Sequence, residues 1–453
     1  DRERLLAEAP GLVDRTAYYF AKRKGLFPGR WMFRVLLCFY YHFAVIKSSV
    51  YSNSQESRQR FQGLGGADLK GSCYYTDGIT DDSRLVMRVL QEGIDQGGCA
   101  LNYLKVDELL VENDQVTGVR LLDQAVEGAA PEPLEIRAPV VINATGAWAD
   151  KLRNRVNSEV RVRPLRGSHL VIPQERLPVD GVFSFFHPAD KRSVFVFPWE
   201  GATAIGTTDL DHGDDFDAEA SITTEEVDYL LDGVNSQFPE KGISRKDVIS
   251  TWSGVRPVIG SEKSKDPSKE RRDHAVWSDK GLVTVSGGKL TTFRLIALDA
   301  LAAAASKLPD PQMADDDRIF NPPGTDPAQL VPGDTAWARR LLGRYGDAAQ
   351  ALLEGAPQSE HVRVAGTDFC LAECRWAIQQ EATVHLDDLL LRRTRLGLLL
   401  PSGGEQLFDE LALMFRELAG WSESHWQSEV ARYRDILRRF YSLPDDGLDN
   451  GHA

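Results

Sequence analysis

The sequence predicts a mixed α/β and α+β fold in which an antiparallel β-sheet is inserted into an α/β domain and a helical domain follows. Three observations support this prediction. The chain has 453 residues, too many for one compact core. Residues 165–279 contain short strands separated by Pro, Gly and acidic turns, and residues 335–453 show helical periodicity. Six prolines between residues 308 and 334 indicate a linker before the helical domain.

The N-terminal part begins with a helix-compatible run that Pro10-Gly11 ends. Residues 31–46 then form the most apolar stretch, with Arg34 and His42 inside it and basic residues on both sides. This stretch is shorter than the ~20 residues that span a bilayer. Two interpretations remain: a helix lying in the membrane interface, or a helix buried in the protein.

Residues 71–104 predict a loop, a helix and a strand. Asp81 begins a cluster of candidate N-cap residues, and Gly97-Gly98 ends the helix before the strand at 99–104. Residues 109–122 predict a hairpin that turns at Asn113-Asp114.

The next strand, residues 138–143, leads into Ala144-Thr145-Gly146. Small residues at a strand end let the backbone approach a ligand closely. Many strands end in small residues, however, so this pattern alone is a weak signal.

The turn at residues 283–293 follows a run of β-branched residues. Gly287-Gly288 permits a sharp turn, and the hydroxyls of Thr291 and Thr292 are placed to cap the helix that follows. Free backbone N–H groups at such a helix start bind anions, and Lys289 adds a positive charge. An ordinary strand-to-helix connection is the alternative. A Walker loop is excluded, because Leu290 follows Lys289.

Arg256 lies between Val255 and Pro257 in the stretch Trp-Ser-Gly-Val-Arg-Pro at residues 252–257. The guanidinium offers a planar fork of donors that suits a carboxylate or phosphate. A surface salt bridge is the alternative interpretation.

These two stretches, with Asn143 to Trp148, Arg166 to His169 and Gly206 to Asp209, resemble the FAD-dependent, quinone-linked glycerol-3-phosphate dehydrogenases. Those enzymes belong to the larger family typified by D-amino-acid oxidase. The motifs keep the family order from about residue 71 to residue 293, and the resemblance persists to the Arg-Arg-Thr-Arg-Leu-Gly run at 392–397.

The resemblance implies a glutathione-reductase/D-amino-acid-oxidase-like FAD-binding domain. Residues 1–164 and 280–307 are assigned to it, residues 165–279 to the substrate or cap domain, 308–334 to the linker and 335–453 to the helical domain. The family opens with a strand and a Gly-x-Gly-x-x-Gly turn, then a His-Gly-Gly segment, and neither occurs here. Gly63 to Asp68 is rejected as the turn because Asp68 replaces the third glycine. We expect the missing βαβ unit to precede Asp1.

The activity that the resemblance implies is oxidation of sn-glycerol 3-phosphate to dihydroxyacetone phosphate. The hydride passes from C2 to flavin N5, and the electrons pass to a membrane quinone. His169 is the candidate base, and Arg256 and Lys289 complete the catalytic set. Arg256, Lys289, Thr291 and Asp209 are the candidate substrate-binding residues. Candidate FAD-binding residues are Val106, Ala144, Thr145, Gly146, Gly287, Gly288, Lys289, Leu290 and Thr291.

Two alternatives stay open beside the quinone-linked dehydrogenase. One is an oxidase of the same fold that passes electrons to oxygen, and the other is an inactive fragment that holds no flavin. The resemblance favours a cytoplasmic protein peripheral on the inner face of the cell membrane, with quinone and the membrane surface as partners and a homodimer as a further expectation.

Composition excludes other classes of function. The net charge of −14 leaves no basic stripe for nucleic acid. Five scattered cysteines favour a reducing compartment, and Cys370 and Cys374 lack the further ligands of a metal site. Residues 209–211 lack the glycine and final glutamate of an EF-hand, so no metal is expected.

Overall fold

The computed structural model describes residues 2–24, 32, 35, 49–66, 68–125, 133–157, 159–213, 218–259, 273–308 and 318–444. Apart from Met32 and Val35, the predicted interfacial or buried helix at 31–46 lies outside these residues. None of the helices within the described ranges is long and apolar enough to cross a bilayer.

The described strands are β1 Val13–Arg23, β2 Ser49–Asn53, β3 Leu69–Thr80, β4 Leu104–Glu112, β5 Gln115–Asp123, β6 Leu134–Arg137, β7 Val141–Asn143, β8 Val162–Pro173, β9 Val182–Phe186, β10 Ser193–Trp199, β11 Ala202–Gly206, β12 Leu210–Asp211, β13 Ser250–Ile259, β14 His274–Asp279 and β15 Leu282–Gly287. The described α-helices are α1 Arg2–Glu8, α2 Ser54–Arg60, α3 Asp82–Asp95, α4 Ala149–Arg153, α5 Thr224–Gln237, α6 Phe293–Ala304, α7 Pro327–Leu330, α8 Thr335–Tyr345, α9 Ala348–Glu354, α10 Leu371–Gln380, α11 Leu396–Leu399, α12 Phe408–Ala419 and α13 Glu423–Ile436.

Nine strands form one large sheet in the order β12-β8-β11-β10-β9-β1-β3-β2, with β13 paired to β8. The predicted inserted sheet supplies β8 to β13, but β1 to β3 from the N-terminal part extend it. The sheet is therefore not confined to residues 165–279. It is also not wholly antiparallel, because Tyr18 to Phe20 of β1 pair in parallel with β9.

Two smaller sheets stand apart from the large sheet. Strands β14, β15 and β7 form what we call the small mixed sheet, in which β15 and β7 run parallel. Strands β4, β5 and β6 form the other. The hairpin predicted at Asn113-Asp114 is confirmed, since both residues have positive φ, 50° and 62°.

Two predicted strands are shorter than expected. Residues 138–143 are strand only from Val141, and residues 99–104 only from Leu104. An extended segment gains ladder hydrogen bonds only from a neighbouring strand. Within the described ranges no strand pairs with residues 99–103, whose local pattern alone does not hold them extended.

The large sheet separates two cores because its side chains alternate between its faces. Leu170 and Ile172 of β8 pack with residues of α5, among them Val227. Val171, between them, packs instead against the C-terminal helices. The helical domain thus packs on the face of β8 that also carries Gly167 and His169, and α5 packs on the opposite face.

Buried ion pairs also hold the C-terminal domain in place. Arg340 contacts Glu200 of the large sheet at 3.1 Å, and Arg344 contacts Asp81 at 3.3 Å. These contacts tie the helical domain both to the β10–β11 turn and to the start of α3.

Three details of the C-terminal half bear on predictions from the sequence. Gly420 ends α12 with a φ of 69°, as its position after the apolar face predicts. The predicted capping box of Ser424 with Gln427 is wrong, because α13 begins earlier and Ser422 accepts the bond from the His425 N–H. In the predicted linker, Phe320 is fully buried and packs with Leu5.

Candidate functional site

Arg256 lies on β13, paired with β8 so that Arg256 faces Leu165. Its guanidinium crosses Gly167, where an added Cβ would lie 2.4 Å from Nη2 and would displace the guanidinium from this position. Arg256 donates to Thr207 Oγ1 at 3.0 Å and to Asp209 Oδ1 at 3.3 Å. The side chain keeps 38% of its exposure, which leaves it accessible to an anionic ligand.

His169 lies on β8 two residues beyond Gly167, on the same face of the sheet. Its ring covers Gly206, where an added Cβ would lie 2.1 Å from Cδ2. Trp252 flanks the ring, with 4.5 Å between ring centroids. Nδ1 is buried and has no hydrogen-bond partner among the described residues.

The pKa of His169 differs from the value expected from sequence. Burial, and then the positive charge of Arg256, lower the pKa of His169 to about 3. The expectation of an unperturbed pKa near neutrality is therefore wrong for the ligand-free site, because a sequence shows neither cause. The imidazole is neutral at pH 7 and has a lone pair that can accept a proton.

Two glycine turns follow the parallel strands of the small mixed sheet. Parallel strands bring their carboxyl ends to the same edge, so Ala144-Thr145-Gly146 after β7 and Gly287-Gly288 at the end of β15 lie together. Ser286 Oγ donates to the Gly146 carbonyl at 3.5 Å. All three glycines have positive φ: 61°, 79° and 88°.

The helix start after β15 differs from the prediction. Thr292 is the N-cap of α6 but makes no side-chain cap bond, and its hydroxyl donates instead to the Lys289 carbonyl at 3.0 Å. Lys289, Leu290 and Thr291 are exposed. Their side chains are thus open to a ligand at this edge.

FAD, the cofactor that the resemblance implies, fits these turns. No described atom lies within 4 Å of the position that a Cβ on Gly146 would occupy, and Ala144 and Thr145 are exposed. Bare backbone at the carboxyl ends of parallel strands is where open α/β sheets bind nucleotide cofactors. A flat ring could approach Ala144 to Gly146, Gly287, Gly288 and Lys289 to Thr291.

Strand β13 joins the two halves of the site. The turn Gly146–Trp148 packs against β8, β13 and β15. An added Cβ on Gly287 would lie 3.0 Å from Ile259 at the end of β13. The strand that carries Arg256 therefore runs past the glycine turns.

The other predicted residues are distributed as follows. Asp209 contacts Arg256 directly, and its carbonyl accepts from Arg192. Val106 lies apart in the β4–β5–β6 sheet, opposite Leu121. The rejected turn at 63–68 follows helix α2 rather than a strand, consistent with its rejection.

Sequence reasoning missed two residues of the site, Thr207 and Glu226. Thr207 lies within the Gly206 to Asp209 motif, two residues before the predicted Asp209, and this proximity is the signal in the sequence that points to it. Glu226 shows in sequence only as the second half of a Thr-x-x-Glu capping box.

No group of three or more His, Cys, Asp or Glu residues within the described ranges could hold a metal ion.

Two family models match the chain. The model described as "FAD dependent oxidoreductase" matches residues 44–297. The model described as "C-terminal domain of alpha-glycerophosphate oxidase" matches residues 324–426.

Similar proteins include the aerobic glycerol-3-phosphate dehydrogenases of Staphylococcus aureus strains USA300 and NCTC 8325. Each is 31% identical over 354 residues, which cover 72% of this chain and 62% of the relative. The chain thus matches less than two thirds of the length of these curated relatives. A similar solved structure is the glycerol-3-phosphate dehydrogenase of Bacillus halodurans complexed with FAD, with a TM-score of 0.75 and 25% identity. That match covers 96% of this chain and 84% of the other.

Proposed function

This chain belongs to the FAD-dependent oxidoreductase family, and from that premise we propose that it oxidises sn-glycerol 3-phosphate to dihydroxyacetone phosphate. The observation that carries the proposal is the position of the Arg256 guanidinium. Its guanidinium lies over Gly167 beside His169, on the strand that runs past the glycine turns. A cationic anchor, a proton acceptor and a site for a flat ring are the three parts that this oxidation requires.

Arg256 binds the phosphate of the substrate in this proposal. Charge-assisted hydrogen bonds are worth about 1.5–3 kcal/mol, enough both to bind and to orient a small molecule. Thr207 and Asp209 hold the guanidinium in place, so little side-chain freedom is lost when the phosphate arrives. Lys289 and Thr291 add a second charge and a hydroxyl at the adjacent edge.

His169 takes the hydroxyl proton of the substrate on its neutral imidazole. The neighbouring positive charge of Arg256 contributes to the lowered pKa of this residue. A phosphate dianion on Arg256 offsets that charge and raises the affinity of the imidazole for a proton. Binding of the substrate thereby prepares the base.

Ala144 to Gly146, together with Gly287, Gly288 and Leu290, would hold the FAD ring. When bound, FAD supplies the hydride acceptor for C2 of the substrate. The adjacent Lys289 side chain supplies positive charge where negative charge develops. Val106 would contact the adenine end of the cofactor.

A membrane quinone is the electron acceptor that we favour. The support is the apolar run at 31–46, flanked by basic residues, which suits a peripheral position on the inner face of the cell membrane and a cytoplasmic location. Oxygen is the second candidate acceptor, because the C-terminal domain matches a model described for alpha-glycerophosphate oxidase.

An anaerobic absorption experiment tests the proposal. The purified chain, loaded with FAD, is mixed with glycerol 3-phosphate, and the visible flavin bands are expected to bleach. Glycerol at the same concentration is the control and is expected to leave them unchanged. A protein that takes up no FAD, or whose flavin is reduced by neither compound, would support the inactive fragment instead. Rates with a quinone analogue and with oxygen then identify the acceptor.

A further inference from the structure

A buried carboxylate lies behind the Arg256 site. Glu226, on α5, is 2% exposed. Its Oε1 accepts from Ser168 Oγ at 2.9 Å and from Thr208 Oγ1 at 2.6 Å. Its Oε2 accepts from the Thr223 N–H at 3.0 Å and pairs with Arg166 Nη2 at 3.1 Å.

The residues that bond to Oε1 border the residues that hold Arg256. Ser168 stands between Gly167, which the guanidinium crosses, and His169. Thr208 stands between Thr207 and Asp209, which both contact the guanidinium. The Ser168 N–H also donates to Thr208 Oγ1 at 2.9 Å. Glu226 therefore joins β8 to the β11–β12 loop at the position that sets the geometry of Arg256.

Capping of α5 does not account for this arrangement. The capping box needs only the bond from the Thr223 N–H to Oε2, which a solvent-exposed Glu can make equally well. Burying a carboxylate costs several kcal/mol unless charges and donors compensate it, as Arg166 and two hydroxyls do here. The other carboxylate oxygen, Oε1, accepts its hydrogen bonds from β8 and from the β11–β12 loop and makes none with the helix start.

We propose that Glu226 is a positioning residue that fixes the phosphate anchor by holding Thr207, Asp209 and Gly167 in register around Arg256. This inference rests on the proposed function. It adds that the specificity of the site for a phosphate depends on a carboxylate that does not touch the substrate. Only an acceptor without N–H groups satisfies all four donors, so Gln, although the same size, places an NH₂ group against hydroxyls or against Arg166.

Glu226→Gln is the first test variant, and Asp232→Asn is its matched control. Asp232 is an exposed carboxylate on the same helix, so the control removes the same charge without touching the network. In Glu226→Gln, we expect the KM for glycerol 3-phosphate and the Kd for inorganic phosphate each to rise about tenfold, with kcat changed less than about threefold. The control is expected to keep all three values.

Thr208→Val and Thr208→Ser give a second pair in case Glu226→Gln does not fold. Valine keeps the shape of the side chain and removes the hydroxyl that bonds to both Glu226 and Ser168. Serine keeps the hydroxyl and is expected to recover most of the phosphate affinity that valine loses. Circular dichroism and thermal unfolding establish that each variant compared is folded.

Phosphate binding is measured by titrating the FAD-loaded proteins with inorganic phosphate and recording the flavin spectrum or the heat released. Unchanged phosphate affinity in folded Glu226→Gln, or in Thr208→Val, would overturn the inference. So would a loss confined to kcat. A wild-type protein that binds phosphate but does not oxidise glycerol 3-phosphate would overturn the proposed function. The phosphate affinities of the variants would still test the role of Glu226 in that case.

Discussion

The two halves of the site differ in how completely the chain covers them. In the large sheet, Leu170 and Ile172 are fully buried, and the polar groups behind Arg256 are satisfied by Glu226. In and beside the small mixed sheet, Ile142, Leu290 and Leu295 keep 40%, 42% and 47% of their exposure. The described part of the chain thus encloses the Arg256 side by itself and leaves apolar surface exposed on the side of the glycine turns.

This difference in burial indicates which half of the site is already formed without a ligand. A buried network of ion pairs and hydrogen bonds keeps its geometry without a ligand, so the Arg256 side is formed before a ligand arrives. Exposed apolar groups around glycine turns gain stability only when something covers them. We therefore expect FAD to stabilise the small mixed sheet more than the large sheet.

The largest expected effect separates the two halves by stability. Leu170→Ala is expected to lower the free energy of unfolding by about 2–5 kcal/mol, because it opens a cavity in the core of the large sheet. Leu295→Ala, the same truncation at an exposed site, is expected to change it by less than about 0.5 kcal/mol. Urea unfolding of the FAD-free proteins measures both. Equal losses would remove the difference between the two halves.

Arg256→Ala tests the preorganised anchor by activity. We expect kcat/KM for glycerol 3-phosphate to fall about 100-fold, which corresponds to about 3 kcal/mol of lost charge-assisted bonding. Steady-state rates with an artificial acceptor measure this loss. Arg176→Ala is the control, because that arginine pairs with Asp247 away from the site and is expected to change kcat/KM less than twofold. A similar loss in both variants would contradict a specific role for Arg256.

Gly288→Ala tests the cofactor side. Gly288 has a φ of 88°, and an added Cβ would lie 2.6 Å from Ile296 Cδ1. The strain is expected to cost about 1–2 kcal/mol and to weaken FAD binding about tenfold, as measured by the change in flavin fluorescence. Gly93→Ala, within α3 and with no described atom within 4 Å of the new Cβ, is expected to bind FAD normally. Wild-type affinity in Gly288→Ala would show that this turn does not hold the cofactor.

The smallest effect concerns the helical domain that supports the large sheet. The hydrogen bond with Glu429, 2.9 Å from Nδ1, raises the pKa of His385. A raised histidine pKa stabilises the folded state below the unfolded value of about 6.5, and this stability is lost as pH rises through the folded pKa. His385→Gln should therefore lower the melting temperature more at pH 5.5 than at pH 8.5.

The exposed His425, on α13, supplies the control for the pH experiment. His425→Gln leaves the bond between His385 and Glu429 intact and is expected to change the melting temperature less than His385→Gln does at pH 5.5. A deficit in His385→Gln that grows with pH would reverse the sign of the linkage and contradict the assigned pairing.

Local patterns predicted the turns and many of the elements. Asn113-Asp114, Gly420 and Gly287-Gly288 turn as predicted, because backbone preference at these positions is a property of the residues themselves. The same local reasoning found Arg256 and Asp209, which the fold brings into contact. It could not show that Arg256 crosses Gly167, since this needs the register of two distant strands.

Long-range pairing accounts for most of what the sequence did not reveal. The parallel pairing of β1 with β9 joins segments far apart in the chain, so the local sequence around Tyr18 gives no signal that predicts this pairing. The lowered pKa of His169 depends on burial and on Arg256, which is also remote in sequence. Glu226 was visible only as a helix cap, because its bonds to Ser168 and Thr208 exist only in the folded sheet.

The measurement that tests the central claim most directly is a crystal structure of the FAD-loaded protein with glycerol 3-phosphate or dihydroxyacetone phosphate bound. The account predicts a phosphate oxygen about 3 Å from the Arg256 guanidinium, with the imidazole of His169 facing the oxygen on C2. A phosphate bound away from β13, out of contact with the Arg256 guanidinium, would contradict it.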